Sequence, residues 1–509
     1  MGDEVKTLIR GGGAIFLALT FGYVITFFSK LILSRYLGPS GFGLFEMLTT
    51  ILGICSVLGG MALYSGINRF IPLYTAKEEY GKVKGYLRLV TILQIIGSFV
   101  VSVSLFFLAP TITAFFDFSS PFEDMLRVLS LTVPFYVFTK SLSTTFFAYK
   151  KALVGKAGTQ VVESLVTLLG AVLLWYLSLD VYYTSFIFLA SWGSTFLFYI
   201  YMYKQDPHLQ EVEPDYSGVK RWMKYSIPLL VSGLIGFILN WTDNFVIGRY
   251  LSETELGVYG IAFSISFYIF SIPKLFTEIF VPVLTELYET DKSKFNKIFK
   301  QIQRWTLLFG SIIGIGFIAF STEIITILFG QAYSGGGTAL AILAGLFVVA
   351  SYFHFYGRIL ILHDDTQYIL YAQLLAITIN LGLTIYLVNL LGITGAAIGS
   401  GFSYLFIRFL FYLRSRKHIK ISLEPKKNIR NVVYVLGAMS TAYLTLHVLI
   451  LPLNLPSLLY VGLGGIIYAG ILLLIMKKTS MITQEDLVIL EVIEEQTGID
   501  LEKVKQWLQ

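Results

Sequence analysis

The chain reads as an all-α polytopic membrane protein of about 14 transmembrane helices, built as two six-helix lobes in parallel repeat with two helices added at the C-terminus. Three observations predict this. Of 509 residues, 55% are hydrophobic and 14% charged, with a mean hydropathy of +0.72, which is more apolar surface than one soluble core can bury. Basic loops alternate without a break with loops nearly free of Lys and Arg. One stretch also occurs twice: FFSKLILSRYLGPSGFGLF at 27–45 and WTDNFVIGRYLSETELGVY at 241–259. Arg35-Tyr36-Leu37 thus returns as Arg249-Tyr250-Leu251, Gly43 as Gly257 and Phe45 as Tyr259, the pattern of a repeat architecture.

Apolar stretches at 11–35, 42–66, 87–109, 125–149, 157–178, 183–203, 224–248, 256–281, 304–329, 337–361, 366–389, 394–413, 430–451 and 456–476 are each long enough to span. A helix rising ~1.5 Å per residue needs about 20 residues to cross a ~30 Å hydrocarbon core. The first stretch is of spanning length and flows directly into the second, so it is expected to be a structural member and not a cleaved signal. In each copy of the repeat an apolar helix ends in Arg-Tyr-Leu, a short polar turn follows, and Gly-aromatic opens the next helix.

Orientation follows from the cations. Lys6 and Arg10 precede the first span, Lys77, Lys82, Lys84 and Arg88 follow the second, Lys150, Lys151 and Lys156 the fourth, and Lys220, Arg221 and Lys224 lie after the sixth. The alternation continues through Lys292–Arg304 and Arg414–Arg430 to Lys477-Lys478, so both termini are expected in the cytoplasm of a multi-pass plasma-membrane protein. Residues 1–205 form the N-lobe with spans one to six. The polar stretch QDPHLQEVEPDYSGV makes 206–220 a cytoplasmic linker, and 221–413 form the C-lobe with spans seven to twelve. Residues 414–476 supply a basic loop and the last two spans. In the tail, 477–509, Thr483-Gln484-Glu485-Asp486 caps a cytoplasmic helix that Gly498 ends.

Composition excludes several classes. The single cysteine, Cys55, forbids an internal disulfide or a thiolate metal cluster. The net charge of +6 follows from topology and calls for no nucleic-acid partner. No Gly-rich phosphate loop ending in Lys-Ser or Lys-Thr is present, so ATP hydrolysis is not expected. His363-Asp364-Asp365 lacks the spaced acidic pattern of metal-dependent sugar enzymes, and neither a metal nor a cofactor is expected.

Ionisable groups within spans cost at least ~2.5–3.5 kcal/mol each and therefore point to a cavity, a partner or an interface. Lys30, Lys140, Glu163 and Asp243 sit well inside spans one, four, five and seven. Arg35 and Arg249 stand near span ends, where snorkelling also explains them. Basic groups amid apolar and hydroxylated walls suit an amphiphile that carries phosphate. Lys30 and Lys140, with Arg35, Arg249 and Arg358, are the candidates to hold a diphosphate while sugars pass. Glu163, Asp243 and Glu278 are candidates either to pair with cations or to bind a coupling proton or sodium ion, and Glu278 lies one turn from Lys274.

With SKLILSRYLGPSGFGLFEML closing the first span, NRFIPLY opening the loop after the second, DNFVIGRYLSETELGVYGIA closing the seventh and two added C-terminal spans, the chain resembles the polysaccharide-export branch of the multidrug/oligosaccharidyl-lipid/polysaccharide exporter superfamily. The resemblance is strongest to O-antigen and lipid-linked oligosaccharide flippases and covers residues 1–476. It implies two lobes around a central cavity that alternate between inward-open and outward-open states. The implied substrate is a polyprenyl or dolichyl (di)phosphate-linked oligosaccharide. Lys30 matches a cavity-lining basic position of that family, whereas the second half has Asp243-Asn244 in the corresponding place. By the same analogy the last two spans form a groove for the lipid tail, and one chain suffices. The repeated turns, Arg35–Gly43 and Arg249–Gly257, are expected in the outer gate, with Leu37 and Leu251 as gate residues.

Two other readings are weighed. A cation-coupled multidrug exporter of the same superfamily is usually twelve-span and uses acidic cavity residues. A membrane-embedded transferase acting on lipid-linked sugars needs acidic metal ligands or a His base in a sizeable loop, and the external loops here are short and poor in both.

Overall fold

The computed structural model describes residues 3–61, 63–204, 212–270, 273, 280, 283–288, 290–363, 365–419, 425–450, 457–479, 494 and 502. Among these residues the regular elements are all helices. The expected tail helices over 483–508 lie outside the described residues apart from two isolated positions. The chain forms two compact units, one of Ala14–Gly257 and one of Met1–Gly13 with Val258–Gln509.

The first unit opens within α1 (Asp3–Gly60), at Ala14, and the helical geometry is interrupted at Gly38, with φ 68° and ψ 178°. A residue before proline avoids helical geometry, and glycine alone accepts this φ without a Cβ penalty. Pro39, preset to a helical φ, restarts the rod, so two expected spans become two arms joined at the Leu-Gly-Pro turn. The second arm ends at Gly60, Met61 takes φ 49°, and α2 (Leu63–Thr75) continues. Then come α3 (Tyr80–Phe116), α4 (Pro121–Ala148) and the short α5 (Ala152–Lys156), which runs through a π-helical stretch, Ala157–Val162, into α6 (Glu163–Tyr176). α7 (Thr184–Lys204), α8 (Val219–Tyr250) and α9 (Glu253–Phe267) complete the series, the unit boundary falling within α9.

The two copies of the repeat turn by different chemistry. Where the first has Gly38-Pro39, the second has Ser252, whose Oγ accepts from Glu255 N at 3.2 Å and bonds Glu255 Oε2 at 3.2 Å. This is the serine-to-glutamate cap that satisfies orphan donors at a helix start. The described end of the linker, 212–220, contacts its own unit. Asp215 N donates to Gly81 O at 2.8 Å, and a Cβ on Gly85 would stand 2.0 Å from the Asp215 carbonyl oxygen.

Buried aromatics fix α2, α3 and α8 together. Trp222, Tyr86, Phe70 and Tyr74 are almost wholly enclosed, with Trp222 Nε1 donating to Tyr74 OH at 3.0 Å. Conversely, α3 leaves Ile92, Ile95, Ile96, Phe99 and Phe107 bare, a face suited to hydrocarbon and not to water.

The second unit continues through α10 (Lys292–Ala319), α11 (Ser321–Phe329), α12 (Gly337–Tyr352), α13 (Tyr356–Leu362), α14 (Thr366–Leu391) and α15 (Ile393–Ser415). The expected single helix over 304–329 breaks at Phe320, and that over 337–361 breaks after Tyr352. α16 (Pro425–Thr445) and α17 (Ser457–Lys478) pack on α10 through Leu308, Ile315, Val435, Met439 and Leu472, with Tyr468 OH donating to Ile312 O at 3.1 Å. The expected spans fall mostly in helix where they are described, and ten stretches among the described residues are long and apolar enough to cross a membrane.

Candidate functional site

Lys30 stands eight residues before Gly38 and Glu46 eight after it, so a turn at Gly38 brings both to the same height on neighbouring arms of α1. At ~1.5 Å per residue that height is roughly 12 Å from the turn. Lys30 Nζ donates to Glu46 Oε1 at 2.8 Å, the Glu46 side chain 5% accessible and that of Lys30 30%. The open side of Lys30 borders a cavity of about 160 Å3, whose other polar wall comes from Thr26, Tyr136, Glu163, Thr167 and Trp192.

Glu163 is placed by the change from π to α geometry one residue before it, an irregularity common at functional sites. Its carboxylate accepts from Thr167 Oγ1 at 3.1 Å and Ser164 Oγ at 3.4 Å, and Ser164 Oγ lies 3.1 Å from Thr26 Oγ1 of α1. The helices meet closely because Gly22 has no side chain: a Cβ there would stand 2.5 Å from the Gln160 carbonyl oxygen. Lys140 has its Nζ 5.2 Å from the Tyr136 ring centroid, and it is an electrostatic neighbour of Glu163 and Tyr64. Tyr136 meets Trp192 edge to face at 4.2 Å, which stiffens the aromatic wall. The cavity therefore sets one ammonium, a hydroxyl-bonded carboxylate and aromatic faces into walls otherwise apolar, a chemistry suited to phosphate on one side and sugar rings on another.

Lys30 and Glu163 thus line one cavity with Lys140 beside its Tyr136 wall, and the other expected residues do not line it. Asp243 and Asn244 are buried on α8, where Asn244, the counterpart of Lys30, donates through Nδ2 to Thr50 Oγ1 at 2.8 Å. Thr50 lies one turn beyond Glu46, so the two repeat-related residues reach successive turns of the same arm. Arg35 and Arg249 are exposed, Arg249 stacking over Phe115 at 5.2 Å. Arg358 borders a separate cavity of about 120 Å3 in the second unit. Glu278 lies outside the described residues. Leu37 and Leu251 are half-buried at their helix ends. Between the turns that follow them, the Glu253 carboxylate accepts from Ser40 Oγ at 2.5 Å, Ser119 N at 3.1 Å and Ser119 Oγ at 3.0 Å.

Sequence reasoning left out Tyr136, Trp192, Thr167 and Ser164, which no motif marks. It also left out Glu46 as the partner of Lys30, although their equal distance from Gly38-Pro39 signals that pairing. Outside the spans, Asp365 accepts from Arg414 Nε at 2.5 Å and Nη2 at 3.1 Å and lies 3.1 Å from His418 Nε2. These two neighbours hold its carboxyl down at about 2. Among the described residues no group of three His, Cys, Asp or Glu side chains is arranged to hold a metal ion.

Residues 32–336 match the profile of a family described as polysaccharide biosynthesis protein. The chain belongs to that family. It is 23% identical over 408 residues to a probable low-salt glycan biosynthesis flippase, Agl15, of Haloferax volcanii, covering 78% of this chain and 81% of the relative. A second relative from the same organism, the probable flippase AglR, is 26% identical over 242 residues, which span 46% of this chain and 50% of the relative. Among solved structures, the lipid II flippase MurJ in an inward closed conformation superposes with a TM-score of 0.68 at 15% identity, over 90% of this chain and 97% of that one. An inward-facing multidrug resistance transporter of the MATE family, in the MOP superfamily, gives 0.64 at 15% identity, over 79% of this chain and 98% of that one. Together with the apolar helices, these matches make the chain a multi-pass membrane protein of the transporter fold shared by MurJ and the multidrug exporters.

Proposed function

We propose that the protein is a flippase that carries a polyprenyl or dolichyl (di)phosphate-linked oligosaccharide from the cytoplasmic to the outer leaflet of the cell membrane, for surface polysaccharide or glycan synthesis. The observation that carries this reading is Lys30 at the edge of a cavity whose apolar walls also carry hydroxyl, carboxylate and aromatic groups, in a chain that is mostly apolar. The family and the two relatives named as probable flippases support the same substrate class. The phosphate end sits at Lys30 and Lys140, the sugars against Tyr136 and Trp192, and Arg35, Arg249 and Arg358 serve the substrate elsewhere on its path. Glu163 is the candidate for a coupling proton or sodium ion. We read the chain as a transporter and not an enzyme, acting as a monomer with about 14 spans in two lobes and both termini cytoplasmic. The contacts of Glu253 with Ser40 and Ser119 close the outer gate, and rocking of the lobes opens it.

A cation-coupled multidrug exporter is the second reading, favoured by the carboxylate of Glu163 in the cavity and by the ion pair that occupies Lys30. Flipping of a fluorescent short oligosaccharide on a polyprenyl diphosphate, in proteoliposomes with an external quencher, separates the two. Protein-dependent flipping weakened by Lys30→Ala is the expected result. No flipping, with proton- or sodium-driven movement of cationic dyes, would assign the multidrug function instead.

A further inference from the structure

At the first turns of α8, sharing no lining residue with the cavity at Lys30, lies an open pocket of about 520 Å3 bordered by Arg69, Phe70, Lys220, Arg221, Lys224 and Tyr225. Its cations are arranged and not merely abundant. The Arg69 guanidinium stands 4.4 Å from the centroid of Tyr225 and 6.0 Å from that of Phe70, while the Arg221 guanidinium stands 5.9 Å from the same Phe70 ring. The aromatic floor is rigid, because Phe70 packs edge to face on both Tyr86 and Tyr225 within the buried cluster around Trp222. Two guanidinium groups are thereby held around one ring despite their like charge.

The helix beginning there adds positive potential. α8 has no acidic residue in its first turn, and its cap, Gly218, supplies no side-chain acceptor. The N-terminal end of a helix carries about half a positive charge, so Lys220 and Arg221 sit where cations are disfavoured. None of the four cations pairs with a carboxylate among the described residues. The nearby carboxylate of Asp215 is engaged by Ser217 N at 2.8 Å and Ser217 Oγ at 3.0 Å. Topological bias accounts for basic residues in a loop, but not for their convergence on an aromatic floor at a helix N-terminus. An anion with several acceptor oxygens resolves every one of these costs.

We propose that this pocket is a binding site for a phosphate or diphosphate headgroup, distinct from the cavity at Lys30 and independent of the transport function proposed above. Guanidinium forks from Arg69 and Arg221 and ammonium groups from Lys220 and Lys224 hold the oxygens, while Phe70 and Tyr225 face the less polar part of the ligand.

The test is titration of the full-length protein in dodecyl maltoside by calorimetry, in a Lys30→Ala background so that the cavity does not contribute. The probes are sodium pyrophosphate, mixed micelles containing dioleoyl phosphatidylglycerol, and farnesyl diphosphate. Arg221→Gln with Lys224→Gln is expected to weaken binding by about tenfold or more. Charge-conserving Arg221→Lys with Lys224→Arg should hold it within roughly threefold, and Lys150→Gln with Lys151→Gln should leave it unchanged. Selective binding of the phosphatidylglycerol micelles assigns the site to membrane lipid, of farnesyl diphosphate to a polyprenyl carrier, and of pyrophosphate alone to a soluble phosphate. Equal weakening by the two neutralised pairs, or none by either, overturns the proposal.

Discussion

Gly257 meets Gly43 backbone to backbone: a Cβ on Gly257 would stand 2.9 Å from Gly43 N and 1.9 Å from the carbonyl oxygen of Pro39. The two glycines are the same position in the two copies of the repeat, so the turns that resemble each other in sequence also touch in space. On the other side of the contact, a Cβ on Gly43 would stand 1.8 Å from the Glu253 carbonyl oxygen.

Neither glycine tolerates a methyl group without parting the turns. Gly43→Ala and Gly257→Ala are each expected to destabilise the protein by about 1–3 kcal/mol, as overpacking does. The double variant should cost less than the sum, because both relieve one contact. Thermal unfolding of the purified protein and its three variants measures this; strict additivity would show that the turns do not share the strain.

Lys30 and Glu46 form a pair with one nearly buried member. Lys30→Ala leaves the Glu46 carboxylate without that ammonium, at an expected cost of about 1–3 kcal/mol, and Lys30→Ala with Glu46→Ala should recover part of it. If the double variant is stable yet fails to flip substrate, the loss belongs to function and not to folding. Full flipping by a stable double variant would remove Lys30 from the substrate path.

The half-buried leucines at the two helix ends offer a test of the gate. Leu37→Cys with Leu251→Cys, in a background of Cys55→Ser, should stop transport on oxidation and restore it on reduction. Transport that persists after efficient cross-linking would place the gate elsewhere.

Asp365 links stability to pH. Its folded value, about 2, lies below the ordinary 3.8, so its contribution is fully present above the ordinary value and is lost as pH falls through the folded one. The thermal midpoint should therefore fall between about pH 4 and pH 2 more steeply in wild type than in Asp365→Asn. Parallel curves for the two proteins would show that the Arg414 clamp adds nothing.

Where the helices lie was largely legible from hydropathy, since the stretches read as apolar in the sequence are mostly helical where they are described. The breaks inside them were not. Phe320 has no glycine or proline beside it, and although Met61 follows Gly59-Gly60, a glycine pair inside an apolar run does not by itself say where a helix stops. Among site residues, Lys30, Lys140 and Glu163 announced themselves by the cost of charge in an apolar span. Tyr136 and Trp192 did not, because an aromatic residue is ordinary anywhere in such a chain. Asn244 shows the limit of repeat reading: it occupies the place of Lys30 and reaches the same helix arm, yet with an amide in place of a charge it serves packing where its counterpart faces the cavity.

The turn at Gly38-Pro39 bears on how the protein enters its membrane. A lone lysine or glutamate halfway along an apolar helix resists partition into hydrocarbon, but two arms that fold back as a hairpin present Lys30 and Glu46 to each other first. Within such a hairpin Lys30 and Glu46 partition as a neutral pair, so their contact eases biogenesis before any substrate is met. Replacing Gly38 would then lower the amount of protein inserted even where the finished molecule could still accommodate the change.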